Sequence, residues 1–209
     1  MVDNGFSNGL NVSRETLEKL EIYLATLKKW NPRINLVSKT TISEAWNRHF
    51  VDSLQIFDLA STTFGWESWC DFGSGGGFPG LVVAIAASDR KQHTQVTLIE
   101  SDQRKCTFLR EVARACDVAV TIKNVRIEEV PALGSCVVSG RALASLTKLL
   151  EFSEKHRDPD GICLFHKGQS VHKELEEALQ NWKLDYKLHP SLTDDGASIV
   201  EIGAFQRGK

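Results

Sequence analysis

"WCDFGSGGGFPG", residues 69–80, places glycines at 73, 75, 76, 77 and 80 and a proline at 79 directly behind a short apolar run. Glycine loses more backbone freedom on folding than any other residue, so such a cluster marks a sharp bend or a close approach to another molecule. Upstream, "SWCDF" (68–72) reads as a buried strand, and downstream "PGLVVAIAA" (79–87) is apolar along its length. In an open α/β sheet the ligand crevice lies beyond the carboxyl ends of the strands. The loop Gly73 to Gly77 ends the first strand of such a sheet and so stands where a site belongs.

Working outward, "QVTLIE" (95–100), "VAVTI" (118–122) and "CVVSG" (136–140) are strand-like and alternate with the helical "RKCTFLREVARAC" (104–116) and "SLTKLLEFSEKH" (145–156). Strand and helix in alternation imply a parallel sheet covered on both faces. After "GICLFHKG" and the helical "HKELEEALQNW" come two runs, "KLDYKLHPSL" and "ASIVEIGAF", separated only by "TDDG". So short a connection requires antiparallel neighbours. Before the sheet, Ser13 caps a helix with Leu17, Leu20, Leu24, Leu27 and Trp30 at helical spacing, and Asn31-Pro32 stops it. A second helix begins near Ser43 with Ala45, Trp46, Phe50, Leu54 and Phe57 on one side. The expected division is a helical N-terminal extension, 1–65, and an α/β domain, 66–209.

The loop is no P-loop, because no Gly-Lys-Ser/Thr follows it. Nor does it suit a pyrophosphate, since Pro79 has no N–H to donate where a helix N-terminus would be needed. Glu100 ends the second strand, where a carboxylate can accept hydrogen bonds from ribose hydroxyls. Asp71, the glycine run, Glu100 and Ile127-Glu128 occur in the order a nucleoside site in this fold requires. The plainer alternative is a tight strand-to-helix turn with Glu100 as a solvated strand end.

The chain has 209 residues, 42% hydrophobic and 25% charged, with a formal net charge of −2 and a pI near 6.3. That suits a soluble globule with no global field for nucleic acid, so any polyanion site must be local. Five cysteines (70, 106, 116, 136 and 163) show no C-x-x-C or Cys/His cluster and read as buried thiols, with no metal expected. The first residues lack the features of a signal peptide, and the longest apolar run is far too short to cross a bilayer. A cytoplasmic monomer is the expectation. Between Lys28 and Arg48, five basic residues (Lys28, Lys29, Arg33, Lys39 and Arg48) face one acidic, Glu44. That excess can contact phosphates or be a solvated face. Trp30 and Trp46 fall on the apolar stripes of their helices and read as core.

"NLVSKTTISEAWNRHFVDSL" (35–54), "CDFGSGGGFPG" (70–80), "VRIEEVP" (125–131), "SGRALASL" (139–146) and "HKG" (166–168) together resemble the glucose-inhibited division protein B family, S-adenosylmethionine-dependent guanine-N7 methyltransferases of 16S ribosomal RNA. The resemblance runs in order from Asn35 to Gly168. It implies a Rossmann-like, seven-stranded class I methyltransferase sheet, mostly parallel with an antiparallel last strand, preceded by a helical extension. It further implies cofactor contacts at Gly73, Phe78, Ile127, Glu128 and Arg141, with Glu100 at the ribose, and 16S rRNA or a small-subunit particle as partner; Asp71, Gly75 and Gly77 join the expected cofactor set from the reading of the loop itself. The chain departs from the family in two places. "DDGASIVEIG" (194–203) stands where Arg-His is common, and Gly140 looks like an insertion between Ser139 and Arg141.

Methylation of guanine N7 uses a lone pair that already exists, so positioning and electrostatics matter and a general base does not. No nucleophile-base dyad stands out in the sequence. His49, Asp52 and Ser53 share one helix face at i, i+3 and i+4, and Arg48 reaches Asp52 at i+4. With Arg141, His49 and Asp52 are the expected positioning residues; Arg48, His49, Lys167, Lys28, Lys29 and Arg33 are the expected RNA contacts. A methyltransferase acting on a small molecule or protein, and a nucleotide-binding protein without activity, remain alternatives.

Overall fold

The structure is a computed structural model that describes residues 12–61, 66–90 and 94–208. The start of the chain, read above as lacking a signal peptide, and the 65/66 division lie outside the described residues. In chain order the elements are α1 (Arg14–Ile34), a π-helical turn (Trp46–Val51) running into α2 (Asp52–Ser61), β1 (Ser68–Phe72), α3 (Gly80–Asp89), β2 (Gln95–Ile99), α4 (Gln103–Ala115), β3 (Thr121–Lys123), a 3-10 turn (Ile127–Glu129), β4 (Ser135–Arg141), α5 (Leu146–His156), β5 (Arg157–Lys167), α6 (Val171–Leu179), β6 (Trp182–Pro190) and β7 (Ser198–Arg207).

The seven strands lie in the order β3-β2-β1-β4-β5-β7-β6. β1 to β5 pair in parallel, whereas β7 is antiparallel to both β5 and β6. The last strand is thus inserted between its two predecessors, and it alone reverses direction. Gly140 pairs in register with Phe72 and Phe165, so the extra glycine continues the β4 ladder rather than bulging it. The irregularity in the β4–β5 pairing falls earlier, where Ser135 to Val137 of β4 face the longer stretch Arg157 to Ile162 of β5.

Alternate side chains of β1 enter the two cores, as a period of two requires. Trp69 joins Val96, Leu98, Val137 and Leu164 under α1 to α4, while Cys70 and Phe72 join Val138, Phe165 and Val200 under α5 and α6. Helix α3 is buried from Gly80 to Ala87. A helix apolar all round must be covered on every side. The sheet covers one side; α1 and α2 cover the other. Leu20, Tyr23 and Leu27 of α1 accordingly share a core with Leu81, Phe108 and Leu109.

Ser13 caps α1 as expected, its Oγ accepting from the Thr16 N–H at 3.1 Å. The stop at Asn31-Pro32 does not hold, because the helix runs on to Ile34. So near the end of a helix, proline forfeits one hydrogen bond without breaking the axis. Termination comes at Asn35, in left-handed conformation at φ 44°, with the Asn31 amide oxygen accepting from the N–H groups of Leu36 and Val37 at 2.8 and 2.9 Å. Trp30 is half-buried and donates to Glu111 at 3.1 Å; Trp46 stacks on Phe50. All five cysteines are free thiols, with only Cys136 half-buried. No helix among the described residues is long and apolar enough to cross a membrane.

Gly77 sits at φ +91°, and a Cβ there would collide with the Tyr23 hydroxyl and lie 2.7 Å from Leu81 Cδ1. Strained backbone and overpacking add, so Gly77→Ala should lower the unfolding free energy by about 2–4 kcal/mol in urea titration. An unchanged midpoint would show that the loop has freedom this packing denies it.

Candidate functional site

The order of strands reverses between β1 and β4, and a trough opens above their carboxyl ends, as the crevice rule requires. It consists of two cavities, of about 830 and 340 Å³, which share Gly73, Lys105 and Ala142 to Ala144. The smaller is lined by Glu100, Ser101, Ile127, Glu128 and Phe152. The larger is lined by Thr41, Arg48, His49, Asp52, Arg141 and His166. Leu143 borders both cavities and covers Gly73, where a Cβ would come within 2.5 Å of its Cδ1.

Gly73 and Gly75 adopt φ +59° and +54°, which keeps their backbone bare toward the trough. Glu100 braces this loop: Oε2 accepts from the Gly75 N–H at 2.9 Å and Oε1 from the Asp102 N–H at 2.7 Å. A carboxylate offers about four acceptor positions, so capacity remains toward the small cavity.

Two residues expected here are elsewhere. Gly77 lines neither cavity, because it turns inward to Tyr23. Asp71 is wholly buried beneath the loop, accepting from Ser139 Oγ at 2.7 Å; Ser139 in turn accepts from the Trp69 indole at 2.8 Å. Burial pushes the Asp71 carboxyl up to about 6, against the lowering effect of the hydrogen bond it accepts from Ser139. It joins β1 to β4 at the floor of the site and does not reach the ligand space.

The ring of Phe78 stands at the junction of four groups. Tyr23 stacks on it at 5.2 Å, Phe50 meets it edge-on at 5.1 Å, His49 is tilted at 5.1 Å, and the Arg141 guanidinium lies 5.3 Å from its centroid. Arg141 donates to the Arg48 carbonyl at 2.9 Å and to His49 Nδ1 at 2.6 Å, with Asp52 Oδ2 at 3.9 Å. A guanidinium has only donors, so His49 Nδ1 is an acceptor and its Nε2–H donates to Thr41 Oγ1 at 3.0 Å. Burial, then the Arg141 charge, pulls the His49 imidazole down to about 3, and it is neutral near pH 7. Sequence spacing thus placed His49 and Asp52 correctly on one face, although the turn carrying His49 is π-helical, a form that recurs at functional sites.

Asp52 accepts from Ser191 Oγ at 3.2 Å and from Thr193 Oγ1, and His166 Nε2 lies 3.7 Å away. Arg48 pairs with Asp194 at 2.7 Å. The β6–β7 connection therefore walls the larger cavity even without the family's Arg-His pair, with Asp194 and Ala197 in its lining.

Lys167 is not a free cation. Its buried ammonium donates to the Ala144 carbonyl at 2.6 Å and pairs with Glu174 at 2.7 Å, and Glu174 also accepts from the Leu146 N–H at 2.8 Å. The pair secures the 142–146 connection over the trough, and Lys167 lines the larger cavity from within it. Lys28, Lys29 and Arg33 are exposed on α1 and line neither cavity. Lys105, one turn into α4 and bordering both cavities, was missed; its only signal was a lysine soon after the strand-2 acid. Among the described residues no His/Cys/Asp/Glu group is placed to hold a metal.

The family described as rRNA small subunit methyltransferase G matches residues 16–198. Proteins named ribosomal RNA small subunit methyltransferase G are similar over nearly their whole length. The one from Ruegeria sp. (strain TM1040) is 47% identical over 95% of each chain, and the one from Gluconobacter oxydans (strain 621H) is 45% identical over 94% of this chain and 97% of the relative. Among solved structures, the O-methyltransferase from Bacillus cereus in complex with SAH shares the fold at a TM-score of 0.60 with 13% identity, covering 97% of each chain.

Because the His49 pKa is depressed from 6.5 to about 3, the unfolded state binds the extra proton between those values. The stabilisation from a neutral His49 is therefore complete above about pH 6.5 and is lost as pH falls toward 3. Asp71, raised to about 6, acts in the opposite sense, its contribution fading as pH rises from 3.8 to 6. Comparison with His49→Gln separates the two. The stability difference between wild type and variant should grow from pH 4 to 6.5, by at most about 1.4 kcal/mol per unit, and be flat above 7. A difference independent of pH would mean that His49 titrates normally.

Proposed function

The chain belongs to the rRNA small subunit methyltransferase G family, and on that premise we propose that it transfers a methyl group from S-adenosylmethionine to N7 of a guanine in 16S rRNA. The observation that carries this reading is the divided trough, in which Gly73 and the carboxylate of Glu100 border one cavity, and Gly75 and the Arg141–His49–Asp52 group border the other.

The smaller cavity suits an adenosine. Glu100 retains acceptor capacity for ribose hydroxyls, Ile127 and Phe152 supply apolar surface, and Gly73 brings loop backbone to its border. S-adenosylmethionine, when bound, supplies a methyl group on a positively charged sulfur. Gly73, Phe78, Ile127, Glu128 and Arg141 are the residues proposed to hold it, with Gly75 and Glu100.

The larger cavity then receives the acceptor base. Guanine N7 presents its lone pair without losing a proton, so the surrounding residues need only orient the base and exclude water. Their hydrogen bonding supports such a role. His49 has both ring nitrogens engaged, and Asp52 is held by two hydroxyls and faces Arg141. Neither is poised to remove a proton. The half-exposed Arg48 at the cavity wall and the exposed Lys28, Lys29 and Arg33 on α1 are the proposed phosphate contacts.

Mapping N7-methylguanosine in small-subunit RNA from strains with and without the gene tests the reading directly; an unchanged map would overturn it. With purified protein, single-turnover methyl transfer should be flat between pH 7 and 9, because no base must be deprotonated. A rate rising tenfold per pH unit would indicate a different acceptor atom. Arg141→Lys keeps the charge but loses the fork that meets Arg48 and His49 together, and should lower kcat/KM on the order of 100-fold.

A further inference from the structure

Tyr23 lies on α1, far in sequence from every segment assigned to cofactor or base, yet it touches the glycine loop more closely than any other side chain of that helix. It is completely buried. Its hydroxyl donates to the Gly76 carbonyl, and its ring stacks on Phe78 with centroids 5.2 Å apart and planes 9° from parallel. Phe50 meets the same ring at 5.0 Å and 77°, fixing the phenol from the π-helical turn. Gly77 has no side chain because that hydroxyl occupies the space a Cβ would need.

We propose that Tyr23 is a positioning residue for methyl transfer, acting through Gly76 and Phe78 to hold the glycine loop in its cofactor-ready form. The inference rests on the methyltransferase reading above. A loop with left-handed glycines at 73, 75 and 77 has many accessible conformations, and the alternatives must be suppressed for the backbone at Gly73 and Gly75 to stay at the border of the trough. On the ligand side, Glu100 holds the Gly75 N–H, but the same carboxylate must also serve a ribose. From behind, the loop is held by Ser74 N–H on the Ile99 carbonyl at 3.0 Å and by Tyr23 on the Gly76 carbonyl. Of these two contacts, the Tyr23 bond comes from a side chain whose ring also reaches Phe78, which faces His49 and Arg141. Burial holds the phenol well above its usual pKa, so the hydroxyl stays a donor across the working pH range. The helical extension is thereby the back wall of the cofactor loop.

Tyr23→Phe removes the hydroxyl and keeps the ring. Titration calorimetry with S-adenosylhomocysteine should show affinity about tenfold weaker than wild type, and KM for S-adenosylmethionine should rise while KM for small-subunit RNA is unchanged. Leu20→Ala, equally buried on the same helix but without contact to the loop carbonyl, is the control for general loss of packing. It should lower the melting temperature and leave cofactor affinity at the wild-type value. Tyr23→Phe with wild-type affinity and KM would overturn the proposal, as would equal weakening by Leu20→Ala, or parallel loss of cofactor and RNA binding with loss of fold. Should wild type itself not bind S-adenosylhomocysteine, the methyltransferase reading fails along with it, an outcome distinct from failure of Tyr23 alone.

Discussion

A guanidinium largely withdrawn from water needs partners, and Arg141, its side chain 18% exposed, imposes that requirement on the whole site. Isolated buried charge costs several kcal/mol, and a single partner rarely offsets it. Here the last residue of β4 draws in the Arg48 carbonyl and the His49 ring from the π-helical turn, the Asp52 carboxylate from α2 and the face of Phe78 from the glycine loop. Asp52 extends the demand to Ser191 and Thr193 in the β6–β7 connection. Four segments distant in sequence are thus fixed relative to one another around one cation. The charge orders the trough before any ligand enters it.

The glycine loop poses the converse problem. It must be bare on one face, so its order has to come from the other. Asp71 beneath it links β1 to β4 through Ser139, and Tyr23 closes it from behind. This explains why α1 and α2 pack into the same core as α3 rather than standing apart. The all-round apolar α3 needs their cover, and the loop that precedes it needs their contacts. The sequence division into extension and catalytic domain describes texture along the chain; the packing runs across it.

The alternation of strands and helices, the acid ending β2, the tight antiparallel end and the shared face of His49 and Asp52 were all legible, because each depends on local spacing. What could not be read depends on where side chains point once the elements pack. Gly77 and Gly73 are equivalent as letters, yet one avoids a tyrosine and the other borders a cavity. Asp71 and Glu100 are both acids near the carboxyl end of a strand, but Asp71 lies within β1, whose register with β4 sends it inward to Ser139. Lys167 looked like a cation offered to RNA; Glu174, seven residues on, claims it because α6 turns back over the β5 end. Pro32 looked like a stop, and the true stop is the side chain of Asn31. The insertion of β7 between β5 and β6 likewise cannot follow from a hairpin signal, which says that two strands pair but not on which side the second one lies.

Charge balance within the trough fits a reaction that moves positive charge without creating it. Transfer of a methyl group from a sulfonium to a neutral base leaves the total unchanged and shifts its centre by a few ångströms. A site for such a step gains nothing from a strong new field, and an added cation beside the acceptor would oppose the product. Three of the cations lining the larger cavity are matched in this way: Arg48 by Asp194, Lys167 by Glu174 and Arg141 by Asp52. His49, between Arg141 and Thr41, would introduce extra positive charge beside the guanidinium if it took up a proton. Burial and the adjacent guanidinium keep it neutral. The same buried cation that orders the site therefore also keeps its nearest titratable neighbour from charging, so that order and electrostatic neutrality have a common cause in Arg141.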